Sequence, residues 1–587
     1  MNNDLHERFE FGPFSLDTNA HVLAREGKDV PLPPKCFELL CLLVRENGRL
    51  LGKEHLMEVL WPNVFVEEAN LPNLVGALRR HLHDSPHGST YIQTVPKLGY
   101  RFVAPTRSVT GRAQEWPAVR DAARGKAVRI IAFPFRTSPD LGDSEYLAYS
   151  LPEAIASTLA ELDAFIVRST QMAMRFDPAH WNPADIAQQL EVDVILSGTI
   201  SRSDQALRVV THLLEASSGT VLWSREWDVE RHELFRFQRA VVQLLVRQLT
   251  ASAGDERRIG TLDISRDAEA YELYLRANRL TTNRAPENIS LARDLYVACT
   301  ERDPAYAPAW ARLGRCYRLL EKFNTEPDRN FARAQVALER AFALNPDLAA
   351  AHAAYTPIES DAGNAEAAMV RLVGQSTRRK NNAEIFSALV HACRYCGLMD
   401  VSLQAHERAI RLDPNIRTSV AHTHFALGDF ERALYWYGSA WGLYLDVLAL
   451  ASMGRREEAG ALLWSRREQY FRMPCLMHAL DAWLMGERDR GLAALCIPLS
   501  SELRDPEVRF YMARQAAAFD DPVLANRLLL RSCEEGFYNS AGMERDPWFE
   551  SIRATGHYQR TLEMVTMREK QARAAFMAAG GDRVLPA

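Results

Sequence analysis

NLPNLVGALRRHLHD, residues 70–84, carries Leu71, Leu74, Val75, Leu78 and Leu82 on one helical stripe. The spacing predicts an amphipathic helix from Asn70 to about His83, with Asn70 as candidate N-cap and Pro72 tolerated in the first turn. The opposite face offers Asn73, Gly76, Ala77, Arg80 and His83, with Arg79 at its edge. Upstream, Lys53–Leu60 reads as a second helix closed by Trp61-Pro62, followed by the loop PNVFVEEA (62–69). PKCFELLCLLVREN (34–47) is a further amphipathic helix with a Gly48 stop. FEFGPFSLD (9–17) and VLAREGKDVPL (22–32) give short strands around turn residues, and YIQTVPKLGYRFV (91–103) is a hairpin with Lys97 and Gly99 near its tip.

A helix, a helix-turn-helix and then a basic hairpin follow winged-helix logic. One helix is shaped to enter a DNA major groove, and the hairpin reaches a neighbouring groove or the backbone. Charge agrees locally. Residues 4–68 hold 12 acids and 7 bases, whereas residues 69–101 hold four bases, Arg79, Arg80, Lys97 and Arg101, against the single acid Asp84. The plain alternative for Arg79 and Arg80 is a solvated charged face, and for Tyr100 a place in the hairpin core.

Three strings, ENGRLLGKEHLMEVLW (46–61), NLPNLVGALRRHLHD (70–84) and TVPKLGYRF (94–102), closely resemble the OmpR/PhoB-type winged-helix family of bacterial transcription factors. The resemblance implies base-facing positions at Asn73, Gly76, Ala77 and Arg80, and backbone contacts at Arg79, Thr94, Lys97 and Arg101. Many relatives carry basic residues where Gly76, Ala77 and Pro96 stand here; small residues suit a thymine methyl or close approach.

Residues 107–126 have weak periodicity and read as a linker. Residues 127–252 alternate strands and helices. The strands are VRIIAF (128–133), FIVRS (165–169), VDVILSGTIS (192–201), ALRVVTHLLEA (206–216) and GTVLWSREWDV (219–229); the helices are Tyr146 to Leu162, PADIAQQL (183–190) and Glu233 to Leu249. IIAFPF (130–135), VDVILSGTI (192–200) and ELFRFQRAV (233–241), with the run 207–227, resemble the TolB-like α/β domain, which implies a helper or sensing role and no catalytic residues. Trp223 and Trp227 share one strand face, where core packing is the simpler reading than a stacking platform.

From 265 to 575 the pattern is helical. Asp303-Pro304, Asn345-Pro346 and Asp413-Pro414 each follow an amphipathic helix. Between them recurs a turn glycine with a small residue five positions on: Gly363/Ala368, Gly397/Ser402, Gly428/Ala433, Gly454/Ala459 and Gly486/Gly491. Glycine permits a left-handed turn between paired helices, and the small residue lets the next helix pack closely. The period resembles tetratricopeptide repeats, most clearly in GDFERALYWYGSA (428–440), which implies an α-solenoid with a concave surface for a protein partner or a second copy.

The predicted architecture is therefore multidomain α+β: a winged helix-turn-helix at 1–106, a linker at 107–126, a central α/β domain at 127–252 and an all-α repeat solenoid at 265–575. The chain has 587 residues, 47% hydrophobic and 25% charged, which excludes a disordered or collagen-like polymer. A net charge of −5 argues against indiscriminate coating of nucleic acid. The longest stretch free of Asp, Glu, Lys and Arg is Ala433–Leu445, 13 residues, too short to span a bilayer. The opening MNNDLHERFEFG lacks the apolar core of a secretory signal. Nine scattered cysteines suit a reducing cytosol, and Cys393/Cys396 read as core thiols rather than a metal or redox pair.

No phosphate-cradling glycine loop, nucleophile elbow or metalloprotease motif is present, and His81 and His83 fall on different helix faces. The expectation is a cytoplasmic non-enzyme without cofactor. Only about eight residues precede the winged helix, so the order predicts no attached receiver domain; the arrangement resembles soluble regulators of the HilA/CadC-like class. The implied partners are double-stranded promoter DNA, a protein or second copy held by the repeats, and RNA polymerase, with no membrane. One rival is a repeat-based adaptor whose winged helix does not bind DNA specifically. The other is a signalling enzyme, since TolB-like and repeat segments also accompany nucleotide cyclases, but too few residues remain for a cyclase domain.

Overall fold

The computed structural model describes residues 8–17, 22–25, 28–30, 32–60, 70–84, 90–96, 98–109, 127–176, 181–203, 206–250, 263–265, 267–282, 285–322, 327–441, 444–467, 474–496 and 504–585. The chain forms two compact units, Met1–Ala122 with Ala179–Asp228, and Ala123–Pro178 with Val229–Ala587.

In the first unit, strands β1 (Arg8–Phe11), β2 (Phe14–Asp17), β3 (Val22–Arg25) and β4 (Lys28–Asp29) precede helix α1 (Pro34–Arg45). Strand β5 (Leu50–Gly52), helices α2 (Lys53–Leu60) and α3 (Asn70–Leu82), and strands β6 (Ile92–Val95), β7 (Gly99–Phe102) and β8 (Arg107–Val109) follow. One sheet has the order β4-β3-β2-β1-β8 and the other β5-β7-β6. The rings of Phe11, Phe14, Tyr91 and Phe102 join the two sheets, at centroid separations between 5.1 and 5.8 Å for four of their contacts. Leu39, Leu40 and Leu43 of α1 and Leu71, Val75, Leu78 and Leu82 of α3 complete the core, so the apolar stripes expected for both helices face inward. Asn70 is itself the first helical residue.

The linker reading needs correction at its start. Arg107–Val109 pair antiparallel with Arg8–Glu10, because the free edge of β1 offers backbone donors and acceptors that a short return strand satisfies. Residues 110–126 lie outside the described residues.

The first unit also contains helix Pro183–Leu190, capped by the Asn182 side chain, and a long ribbon of Val194–Ser203 and Ala206–Glu215, paired from Val194↔Glu215 to Ser203↔Ala206. Strand Val221–Val229 lies beside the second of these. Trp223 and Trp227 pack edge-on, 6.4 Å between centroids, and the Trp227 indole N–H donates to Thr211 Oγ1 at 2.9 Å. Both indoles are half-buried, so they pack on a sheet face rather than in a closed core.

The second unit contains a parallel pair of strands, Val128–Ala132 and Phe165–Arg168, and helices Leu147–Leu159 and Leu234–Leu249. These helices pack with the first helix of the helical region, Ala268–Leu280. Ser150 Oγ donates to Leu275 O at 2.9 Å, and the buried Gln238 amide donates to Ala154 O and Thr158 Oγ1 while accepting from Tyr271. The stretch 127–252 is thus divided between the two units.

The helical region is a run of antiparallel hairpins. Gly363, Gly397, Gly428, Gly454 and Gly486 all adopt φ between +74° and +81°. Each closes a helix with the bond pattern that left-handed termination produces: Gly397 N–H donates to Arg394 O and Leu398 N–H to Cys393 O. Ala368, Ser402, Ala433 and Ala459 are fully buried beside the turns, as the marker requires. A Cβ on Gly491 would lie 2.0 Å from the Phe519 ring. Helices end at Arg302, Leu344 and Leu412, immediately before the three X-Pro pairs. Cys393 and Cys396 are fully buried, and burial pushes both thiols up, which makes them core groups.

Among the described residues of 349–578, part of the inner face expected of a solenoid is covered by the chain itself. Helix Pro506–Ala518 returns against helix Ala383–Tyr395, and helix Gly556–Ala578 against helix Ala365–Arg378. Arg394 and Glu507, 1% and 5% exposed, form a bidentate pair at 2.9 and 3.0 Å where that inner face would otherwise be open. Gly363 and Gly536 meet backbone to backbone, a Cβ on Gly536 lying 2.8 Å from Gly363 Cα. Among the described residues, no helix is long and apolar enough to cross a membrane, and no cluster of His, Cys, Asp and Glu is arranged for a metal.

Candidate nucleic-acid interface

Helix α3 presents its outer face because its leucine stripe is spent on the core. Asn73, Gly76 and Arg80 are exposed and Ala77 is half-buried, all on that face, with His83 exposed at the end in a left-handed conformation, φ 53°. Arg80 is exposed and makes no ion pair with a described residue. Nothing within 4 Å would meet a Cβ on Gly76, which leaves room for close approach.

The hairpin is held to α3 by two connections. Asp84 accepts from the backbone N–H groups of Thr90, Tyr91 and Ile92 at 2.7, 3.3 and 2.8 Å. Arg79 donates from Nη2 to Ile92 O at 2.7 Å and to Thr94 Oγ1 at 2.8 Å. The wing is further seated by Gly99, where a Cβ would stand 1.9 Å from Leu51 O, so β5 and β7 approach only without a side chain there. Tyr100 is buried, which settles it as hairpin core, and burial raises its phenol.

Arg79, expected as a backbone contact, is 9% exposed, and its Nη2 joins the helix to the hairpin. Thr94 is exposed, but its hydroxyl oxygen accepts from Arg79. Arg101 is half-buried on β7, opposite Gln93 and Leu50. Lys97 lies outside the described residues. Sequence reasoning missed Asp84 as an anchor. Its signal was a lone acid at the end of a basic helix, a place where charge alone would be unfavourable.

Replacing Arg79 with methionine is expected to lower the stability of the winged helix by about 1–3 kcal/mol, because Ile92 O loses its partner in a buried setting. Denaturant unfolding followed by tryptophan-independent tyrosine fluorescence or amide exchange of the hairpin reports it. A variant as stable as the parent, but with a shallower salt dependence of DNA binding, would return Arg79 to the surface.

Residues 27–102 match the family described as "Transcriptional regulatory protein, C terminal". Among curated relatives, the transcriptional regulator HilA of Salmonella typhi is 24% identical over 318 residues, covering 53% of this chain and 53% of HilA. The sensory transduction protein RegX3 of Mycolicibacterium smegmatis is 32% identical over 94 residues, 16% of this chain and 41% of RegX3. Putative adenylate cyclase 3 of Rhizobium meliloti is 25% identical over 250 residues, 40% of this chain and 42% of that protein. The chain spans about half the length of the first of these relatives. The match at 27–102, together with the helix, wing and core described above, makes this segment a winged-helix domain of the kind carried by transcriptional regulators.

Proposed function

We propose that this protein is a sequence-specific DNA-binding transcriptional regulator, reading double-stranded promoter DNA with α3 and the β6–β7 wing. The remaining residues sense a signal or assemble the regulator. The observation that carries the reading is the exposed Arg80 beside Asn73, Gly76 and Ala77 on a helix whose other face is core, in a segment that matches a regulator family. In this reading those four residues face base edges. Arg101, Thr94 and Lys97 face the sugar-phosphate backbone, and Arg79 sets the wing.

The test uses the full chain and DNA fragments enriched from its own genome by binding. Replacing Arg80 with alanine is expected to change preference at one base position by about 1–3 kcal/mol. Replacing Arg101 should weaken all sequences alike and reduce the salt slope by roughly 0.9. Equal weakening of every sequence by Arg80→Ala makes Arg80 a phosphate contact. Absence of any sequence preference in the full chain favours the adaptor reading instead.

A further inference from the structure

The second unit contains a cavity of about 430 Å3 that the DNA-binding reading does not use. Its walls come from helices Leu147–Leu159, Leu234–Leu249, Ala268–Leu280 and Ala307–Lys322 and the turn at Asn345–Leu348. The volume falls within the range of small-molecule sites and exceeds what a few waters need.

The charges on its wall are unevenly matched. Arg379 is paired with Glu161 at 2.9 Å, and Arg378 with Asp347 at 3.0 Å, so these four close on one another. Two lining groups do not. Asp263 has the neutral Asn345 amide as its hydrogen-bond donor and no ion pair with a described residue; burial pushes its carboxyl up. Arg312 meets one carboxylate oxygen among the described residues, Glu153 Oε1, at 3.4 Å. Glu153 is already shared, accepting from Ser157 at 3.1 Å and from Asn278 at 3.0 Å. Arg312 has five donors and is mostly enclosed, so a cation in this setting gains most from a second, better-placed carboxylate. Tyr274 and Tyr306, 5.0 Å apart and edge-on, supply an aromatic wall, the Tyr274 phenol also hydrogen-bonding to Arg312.

We propose that this cavity binds a small zwitterionic amino acid, with the ligand carboxylate on Arg312 and the ligand ammonium on Asp263. A simple anion leaves Asp263 facing it, and a simple cation leaves Arg312 facing it. A molecule carrying both charges satisfies both groups and keeps the cavity neutral. The bound ligand would touch both the strand-bearing segment at 128–168 and the first helical hairpins, through helix Leu147–Leu159, and so stabilise their packing by mass action.

The inference stands apart from the DNA reading, because binding is measured without DNA. Isothermal titration of the full chain uses the twenty common L-amino acids, 4-aminobutyrate and 5-aminopentanoate as probes, with butylamine and butyrate as single-charge controls. At least one zwitterion is expected to bind with a Kd below about 1 mM, and each control at least about tenfold more weakly. Asp263→Asn and Arg312→Gln are each expected to weaken that ligand at least about tenfold, with the unliganded melting temperature of Asp263→Asn close to that of the parent. If Arg312→Gln does not fold, Asp263→Asn alone decides. No zwitterion binding, a single-charge control binding as tightly, or undiminished affinity in Asp263→Asn each overturns the proposal.

Discussion

Replacing Glu507 with alanine is expected to destabilise the helical region by about 3–5 kcal/mol, the usual consequence of leaving a buried guanidinium without its partner. Arg394 is 1% exposed and spends Nε and Nη2 on the two oxygens of Glu507, while Nη1 donates to Ser419 O and Oγ at 3.2 and 2.7 Å. Tyr511 donates to the same carboxylate at 2.7 Å. Burial by itself would raise the Glu507 carboxyl, but Arg394 and then His422 overcome this and hold it well below the usual range. The pair joins helices more than a hundred residues apart, so its loss releases the return of Pro506–Ala518 as well as one charge. Removing both charges together, as Arg394→Met with Glu507→Leu, should recover most of the loss, because a hydrophobic pair avoids the desolvation of two ions. Guanidinium unfolding followed by far-UV circular dichroism measures all three forms. A single variant within about 1 kcal/mol of the parent would show that the pair is solvated and the return is held elsewhere.

Acid should weaken the same region well before carboxylates protonate in bulk. His352 is buried, its Nε2 2.7 Å from Pro346 O and its Nδ1 2.6 Å from Arg371 Nη1. The guanidinium can only donate, so Nδ1 accepts and the ring is neutral; a second proton there would face Arg371. Burial is the main cause that lowers His352 to about 4, and burial followed by the His424 charge lowers His406 to about 4. Burial and then Arg394 hold His391 well below its ordinary value. In each case the unfolded ring takes up a proton below about pH 6.5 and the folded ring does not. Stability is therefore full above that pH and is lost as pH falls toward 4, by roughly 3 kcal/mol for each of His352 and His406. Glu161 works in the opposite sense: burial raises it to about 7, so acid relieves it and offsets part of the loss. The His352→Gln, His406→Gln double variant isolates the histidine share. Its unfolding free energy should change less steeply between pH 6.5 and 4 than that of the parent. Parallel slopes in the two proteins would mean that these rings are protonated in the folded state.

Much of this structure is local and was legible from residue order. The leucines of 70–84 repeat at helical spacing, and a helix of that period has to turn them toward one side. The turn glycines were readable because a left-handed residue costs little only when no Cβ is present, so five hairpins announce themselves at Gly363, Gly397, Gly428, Gly454 and Gly486. A sixth did not. Asp520, φ 58°, fills the same role between Pro506–Ala518 and Pro522–Glu534, because an aspartate side chain can support the left-handed turn without the glycine signature.

Features that depend on distant residues were not legible in that way. Arg79 and Arg80 are adjacent and chemically identical, yet the rotation of about 100° per residue along α3 sends one beneath the wing and the other outward. Which of them is held depends on where Ile92 O comes to rest, and that is set by Asp84, Gly99 and the packing of β5 against β7. The closure of the helical region is of the same kind. Helical periodicity reports which face of each helix is buried, but not whether a partner, a second copy or the chain's own residues 506–578 will cover it. Arg394 and Glu507 look like ordinary charges on separate helices until folding brings them within 2.9 Å, where removal from water makes each dependent on the other.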